Sequence, residues 1–379
     1  MMTKLIPFIA VSRAKVFAVL FVLPLLAFAK PEVVDQIEDL DKPTVALFSK
    51  DGKSLFVANS VRGSVGAIRS KSYISKFSIG ADMKATLASR DFIGNLTAPV
   101  DLAFSTVSYP GIAKGSLFVA VGTPLIENDE KRIIDDPSRE FVGFSIYDPK
   151  NGRLLKKIDL GPSSKTRLLG EKSVTLPSSI AFDAKGNLYI GDTGIGGNLF
   201  SEKVQGRPGI WRIEKEGVED LINGRRPAGE VIFMPISSLP GPMRYLEKTD
   251  ELYITANHNV GAPTGSVFRM DCEKFGSKGM TALQTIIRGA KTVSGIQITP
   301  KGRVMLTSSS GDLFYPRGKK NYGIVRFRPQ LNFASPTNYA MLILEDGGML
   351  FAIPEEASDV GIKHKQSLKL VYLPASSGY

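Results

Sequence analysis

The side chains capable of chemistry are few and scattered. Histidine occurs twice, as His258 in TANHNVG and His364 in GIKHKQ, and cysteine once, as Cys272. A nucleophilic triad needs one imidazole to meet both a hydroxyl and a carboxylate. His258, flanked by Asn257 and Asn259, is the better catalytic candidate of the two, with Asp101 as a candidate acid. GxSxG, HExxH, a phosphate-binding glycine loop and a dinucleotide fingerprint are absent, and Gly194-Ile195-Gly196-Gly197 follows a strand without the helix such a loop must open. A divalent cation (calcium, zinc or manganese) needs several oxygens converging on one point. Asp101, Asp192, Asn59 and Asn257 are the residues from which such a site can be drawn, and with Ser179 and His258 they form the candidate ligand-binding set. The competing reading of the same residues is that they cap strands and satisfy turn backbone. The acidic insert IENDEKRIIDDPSRE lacks the spacing of a calcium loop and reads as a solvated mixed-charge loop.

These residues must be placed by strands. Pro177–Lys215 holds an apolar run, Ile180–Phe182, a turn built from Asp183, Ala184, Lys185 and Gly186, a second run, Asn187–Gly191, and a third, Gly209–Ile213. Short runs rich in Ile, Tyr and Trp and punctuated by Gly and Asp read as antiparallel strands joined by hairpins. The unit recurs, with second-strand anchors at Leu55, Leu117, Leu188, Leu252, Val304 and Leu350. The third strands read GSVGAIRS, FVGFSIYDP, GIWRIEK, GSVFRMD, YGIVRFRP and LKLVYLP. Six tandem units of this kind predict an all-β, six-bladed β-propeller with four-stranded antiparallel blades, in which radial repetition protects the sheet edges. Blade 6 ends close to the C-terminus, so Val33–Ile37 is expected to supply its outer strand and close the ring. Blade 1 is read as Pro43–Ile79, followed by an irregular connection over Gly80–Thr97 that carries the sequon Asn95-Leu96-Thr97.

The inserts fall between second and third strands: Gly122–Glu140, Thr193–Pro208, Asn257–Thr264, Gly311–Asn321 and Pro354–Ser367. Those loops share one face of a propeller, and loops held over a rigid scaffold are where binding residues gather. That face, around the central channel, is the expected site.

Residues 1–29 read as a signal peptide, with Lys4, Arg13 and Lys15 before an apolar core, Val16–Leu26, and Ala27-Phe28-Ala29 as a small-x-small cleavage site. Residues 30–379 are then the propeller, exported to the periplasm or medium; an uncleaved anchor is the alternative, and membrane contact would come only through the leader. A lone Cys272 forms no intrachain disulfide and reads as a small buried apolar residue. The formal net charge is +11, but Lys and Arg are scattered and no aromatic residues interleave with a basic stripe, so nucleic acid is not an expected partner. A monomer is expected.

The phrases SSIAFDAKGNLYIGDTG, PVDLAF and DGKSLFVAN resemble repeats of the NHL and SMP-30/gluconolactonase-like six-bladed propellers over nearly the whole mature chain. That resemblance implies a channel metal held by a Glu near the N-terminus and by Asn or Asp at the start of inner strands. The matching places here read Pro99-Val100-Asp101, Pro177-Ser178-Ser179, Pro242-Met243-Arg244 and Val293-Ser294-Gly295, with Asp101 the sole carboxylate and Glu32 and Glu38 near the start of the mature chain. Two functions stay open: an exported propeller that binds a protein, glycan or small molecule on its loop-rich face, or a divalent-metal-dependent lactonase or esterase with an altered ligand set.

Overall fold

The computed structural model describes residues 31–375 except 61–71, 123–141, 195–206, 258–264, 277–282, 309–311, 317–321, 327–337, 356–365 and some single or paired positions. Its strands form six separate four-stranded antiparallel sheets. In five of them the strands pair in chain order from the channel outward. The sixth takes three strands from the C-terminal end and its fourth from the N-terminal end. Glu32–Leu40 pairs antiparallel with Gln366–Leu373, Ile37 opposite Leu368 and Val33 opposite Val371, which closes the ring where the sequence expected it.

The innermost strands are Pro43–Phe48, Pro99–Phe104, Pro177–Phe182, Leu239–Leu246, Val293–Ile298 and Ala340–Ile343. Five of them carry a bulge near the start, at Pro43/Val45, Pro99/Asp101, Pro177/Ser179, Pro240/Met243 and Val293/Gly295. A bulge leaves one residue unpaired and re-aims the next side chain. Three of the five begin on proline, which has no N–H to lose at a strand's first position. The hairpin turns are chemically specified too. In the third blade Asp183 accepts from Asn187 N at 2.9 Å, Asn187 Nδ2 at 2.7 Å and Tyr189 Oη at 3.1 Å. Gly186 sits at φ +89°, and a Cβ there would collide with the Val107 side chain, so a side chain is excluded twice over.

The cores lie between neighbouring blades, as radial stacking of sheets requires. The largest joins blades 2 and 3 through Phe118, Phe144, Ile180, Phe182, Ile190 and Trp211. An eight-residue helix, Lys215–Ile222, follows the third strand of blade 3 and buries Val218 and Leu221 on this cluster. Cys272 is buried against Ile254 and Phe275, and burial pushes its thiol up to about 12.

Four sequence readings need correction. In blade 1 the third strand is Ser72–Ile79, whereas the expected GSVGAIRS lies outside the described residues, and the fourth is the twelve-residue Ala85–Leu96, not an irregular connection. Three register breaks along that outer strand destroy its alternation and hid it. In blade 5 the third strand is Asp312–Pro316, within the segment expected to be a loop, and Tyr322–Arg326, expected in the third strand, is the fourth. The second-strand position in blade 6 belongs to Met349, opposite Ile343, rather than to Leu350.

Candidate functional site

The starts of the inner strands, at the end of the channel toward the elaborated face, bring three side chains together across the axis. Asp101 (blade 2) is fully buried. Its Oδ1 accepts from Leu102 N at 2.9 Å and from Asn338 Nδ2 at 2.9 Å; its Oδ2 accepts from Ile180 N at 3.0 Å. Arg244 (blade 4) brings Nη1 to 3.9 Å of the same oxygen and donates from Nη2 to Asn338 Oδ1 at 3.1 Å. Asn338 immediately precedes the inner strand of blade 6, and its backbone also bonds to Thr44 and Ala46 of blade 1. Groups from five blades thus meet in one polar cluster. Burial pushes the Asp101 carboxyl up to about 6, opposed by Arg244 and by the hydrogen bonds from Ile180, Leu102 and Asn338.

Arg244 reaches this point from a later position of its inner strand than the strand start that the sequence suggested. Pro240, not Pro242, is the counterpart of Pro99: it pairs with Ala256 as Pro99 pairs with Val121. Counted from these prolines, Met243 matches Leu102 and Arg244 matches Ala103, so Arg244 stands two positions further along its strand than Asp101 does and its long side chain reaches the Asp101 carboxylate from there.

The other predicted residues are placed apart. Ser179 is buried and donates to Gly241 O of blade 4 at 2.7 Å. Asn257 accepts from Val293 N at 3.2 Å and donates to Val293 O at 3.4 Å, tying blade 4 to blade 5. Asn59 is buried, with Nδ2 donating to Val57 O and Ser75 Oγ, and its Oδ1 has no partner among the described residues. Asp192 caps the segment leading into its own blade: its two oxygens accept from Thr175 N, Leu176 N, Gly194 N and Trp211 Nε1, all within 3.1 Å. His258 and His364 lie outside the described residues, as does the acidic insert of blade 2.

Asp101, Ser179 and Asn257 therefore act as links in a belt around the channel, which Gln297 Nε2 continues by donating to Tyr339 O at 2.6 Å. The residues that sequence reasoning missed are Asn338 and Arg244. Asn338 carried a signal, since Pro336-Thr337-Asn338 repeats the pattern Pro99-Val100-Asp101.

A divalent cation does not fit this donor set. Asp101 already accepts three hydrogen bonds and lies 3.9 Å from the Arg244 guanidinium, Asp192 accepts four, and no group of three His, Cys, Asp or Glu side chains among the described residues could hold a metal. The arrangement holds blades in register and presents a fixed polar floor to the channel. Half-buried hydroxyls of Thr44, Ser178 and Ser294 stand at the same end of the inner strands of blades 1, 3 and 5, each fixed by a bond within its own blade.

Asp192 yields a direct expectation. Asp192→Ala strands the Trp211 indole N–H and three backbone N–H groups in a buried place, and each uncompensated donor costs about 1–3 kcal/mol. The variant should lower the urea midpoint with an unchanged slope; a midpoint equal to wild type would show that these bonds carry no net stability.

No family model matches the sequence, and no curated protein matches it. Solved structures do. A luciferin-regenerating enzyme is 8% identical, over 90% of this chain and 94% of its own, with a TM-score of 0.54. A gluconolactonase from Xanthomonas campestris is 10% identical, over 91% and 88%, with a TM-score of 0.50. An α-L-arabinofuranosidase from Fusarium graminearum, solved with an iminosugar inhibitor, is 13% identical, over 90% and 98%, with a TM-score of 0.55. Likeness at such identities speaks for architecture alone: the chain shares, over nine-tenths of its length, the propeller fold of gluconolactonase-like proteins.

Proposed function

We propose that the protein is an exported propeller that takes a small, oxygen-rich ligand of the sugar-acid or sugar-lactone class at the elaborated mouth of its axial channel, and that lactone or ester hydrolysis is its reaction class. The observation that carries the reading is the start of the inner strands, where the half-buried hydroxyls of Thr44, Ser178 and Ser294 share one end of the channel with the Asp101–Arg244–Asn338 cluster. Polar groups held in fixed orientations at one end of a channel suit a ligand rich in hydroxyl and carbonyl oxygens. The fold shared with a gluconolactonase and with a sugar-directed hydrolase supports the same ligand class. In this reading Asp101, Ser179, Asp192, Asn257 and Asn59 support the site and do not act on the substrate; His258, next to Asn257 in the sequence, is the candidate proton-transfer group.

A second reading, a binding module for a protein or glycan, is favoured by the inserts that crowd one face in the sequence. A panel of γ- and δ-lactones and aryl esters separates the two. Hydrolysis of at least one lactone, reduced about 100-fold or more in His258→Ala, is the expected result. Absence of both turnover and binding across lactones and sugar acids would leave the binding module. Export is tested by the mature N-terminus, which should be Lys30 in a periplasmic or secreted fraction.

A further inference from the structure

We propose that Arg244 is the resident cation of the axial site: its guanidinium takes the place a divalent metal would occupy, so the channel is charge-balanced and closed by the chain itself. The inference rests on the geometry of the cluster and not on the hydrolase reading.

Three observations carry it. The carboxylate of Asp101 has no vacant direction, because Leu102 N, Asn338 Nδ2 and Ile180 N fill three and the Arg244 guanidinium lies against the fourth. The amide of Asn338 is used at both ends, donating to Asp101 at 2.9 Å and accepting from Arg244 at 3.1 Å, so its orientation is set and its oxygen is not free for a metal. Arg244 is itself pinned by a 2.7 Å bond from Nη1 to Met243 O and is only 15% exposed along its side chain. A divalent ion entering here would have to displace a buried, hydrogen-bonded cation, and until it did so it would be repelled by it. A guanidinium is suited to the task because it is always charged and offers several donors in a fixed plane, whereas an ammonium is a single point charge.

The arrangement also explains why one carboxylate suffices. A hard divalent ion wants six or more oxygens, several of them anionic; a guanidinium needs one carboxylate and neutral acceptors, which is what blades 2, 4 and 6 supply. Removal of metal should therefore leave the fold and the channel unchanged.

The test titrates chelator-treated residues 30–379 with calcium, zinc and manganese, by calorimetry and by thermal melting. Melts of Arg244→Lys and Arg244→Met accompany it. The wild type is expected to show no one-to-one binding lost in Asp101→Ala and no rise in melting temperature with any of the three metals, since a ligand of the native state must raise it. Arg244→Lys, which keeps the charge, should melt about 2 °C or more above Arg244→Met. Stoichiometric metal binding that Asp101→Ala abolishes would overturn the proposal. So would Lys and Met variants of equal stability, because shape and not charge would then be what Arg244 contributes. Should neither variant fold, the wild-type titration still decides.

Discussion

Deleting residues 31–41 is expected to abolish cooperative folding. The segment contributes the outer strand of blade 6, with six residues in register against Gln366–Leu373. Val33 packs on the cluster around Phe351 and Val371, and Val34, Ile37 and Leu40 pack on the one formed by Leu350, Leu368 and Leu370. At about 1 kcal/mol per backbone hydrogen bond, with about 1.5–3 kcal/mol for each fully buried aliphatic side chain, the strand is worth as much as the whole 5–15 kcal/mol by which a domain is stable. Its loss also opens the ring and leaves Gln366–Leu373 as a bare edge, a template for aggregation. Circular dichroism and urea unfolding of the truncated chain should show no cooperative transition, and a synthetic peptide of residues 31–41 should restore it. A truncated protein with the wild-type midpoint would mean that the ring is held closed by something other than this strand.

Asp101→Ala should be the most damaging single substitution in the channel, at about 3–5 kcal/mol, the range found when one partner of a buried ion pair is removed. It leaves Arg244 charged in a site only 15% exposed and removes the acceptor for Ile180 N, Leu102 N and Asn338 Nδ2. Because the damage is the stranded charge, Arg244→Met should cost less in the Asp101→Ala background than in the wild type. The cycle should return a coupling of about 1–3 kcal/mol; strict additivity would show that the two side chains do not sense one another.

Asp101 also sets a pH dependence. Burial raises its folded pKa from 3.8 to about 6, so between those values the native state holds a proton that the unfolded chain has released. Stability from this group is therefore full below about pH 4 and falls as pH rises to 6, by up to roughly 3 kcal/mol at 1.36 kcal/mol per unit. The urea midpoint of Asp101→Asn, which does not titrate, should lack this fall. An identical pH profile in wild type and variant would assign it to other groups.

Much of the architecture was legible because strands, tight turns and ring closure are written in local chemistry. The Asp183–Asn187 turn, the Gly186 position and the apolar run in Glu32–Leu40 each announce themselves within a few residues. Blades 1 and 5 depart from the expected third strands for a local reason as well: Ser72–Ile79 and Asp312–Pro316 begin on Ser and Asp and lack the glycine that accompanies most of the quoted third strands. The outer strand Ala85–Leu96 was lost because its bulges break the alternation that marks a strand.

The site was legible by residue and not by partnership. Asp101 stood out as the carboxylate among inner-strand starts, but what it meets lies elsewhere: Asn338 is 237 residues away in the chain. Arg244 could not be placed from the sequence, since it reaches the cluster from a strand position held in blade 2 by Ala103, two residues past the position of Asp101. Asp192 accepts from backbone groups at the start of its own blade and Asn257 bonds to Val293 of blade 5, partners that residue type alone does not name.

The most direct test of a chain-closed, metal-free channel with a small-molecule mouth is thermal melting of residues 30–379 in chelator, titrated with sugar acids and sugar lactones. A saturable rise in melting temperature with at least one of them, unchanged when calcium, zinc or manganese replaces the chelator, is the predicted result. A rise that appears only with one of these metals would contradict the account, because the axial site would then be a metal centre after all.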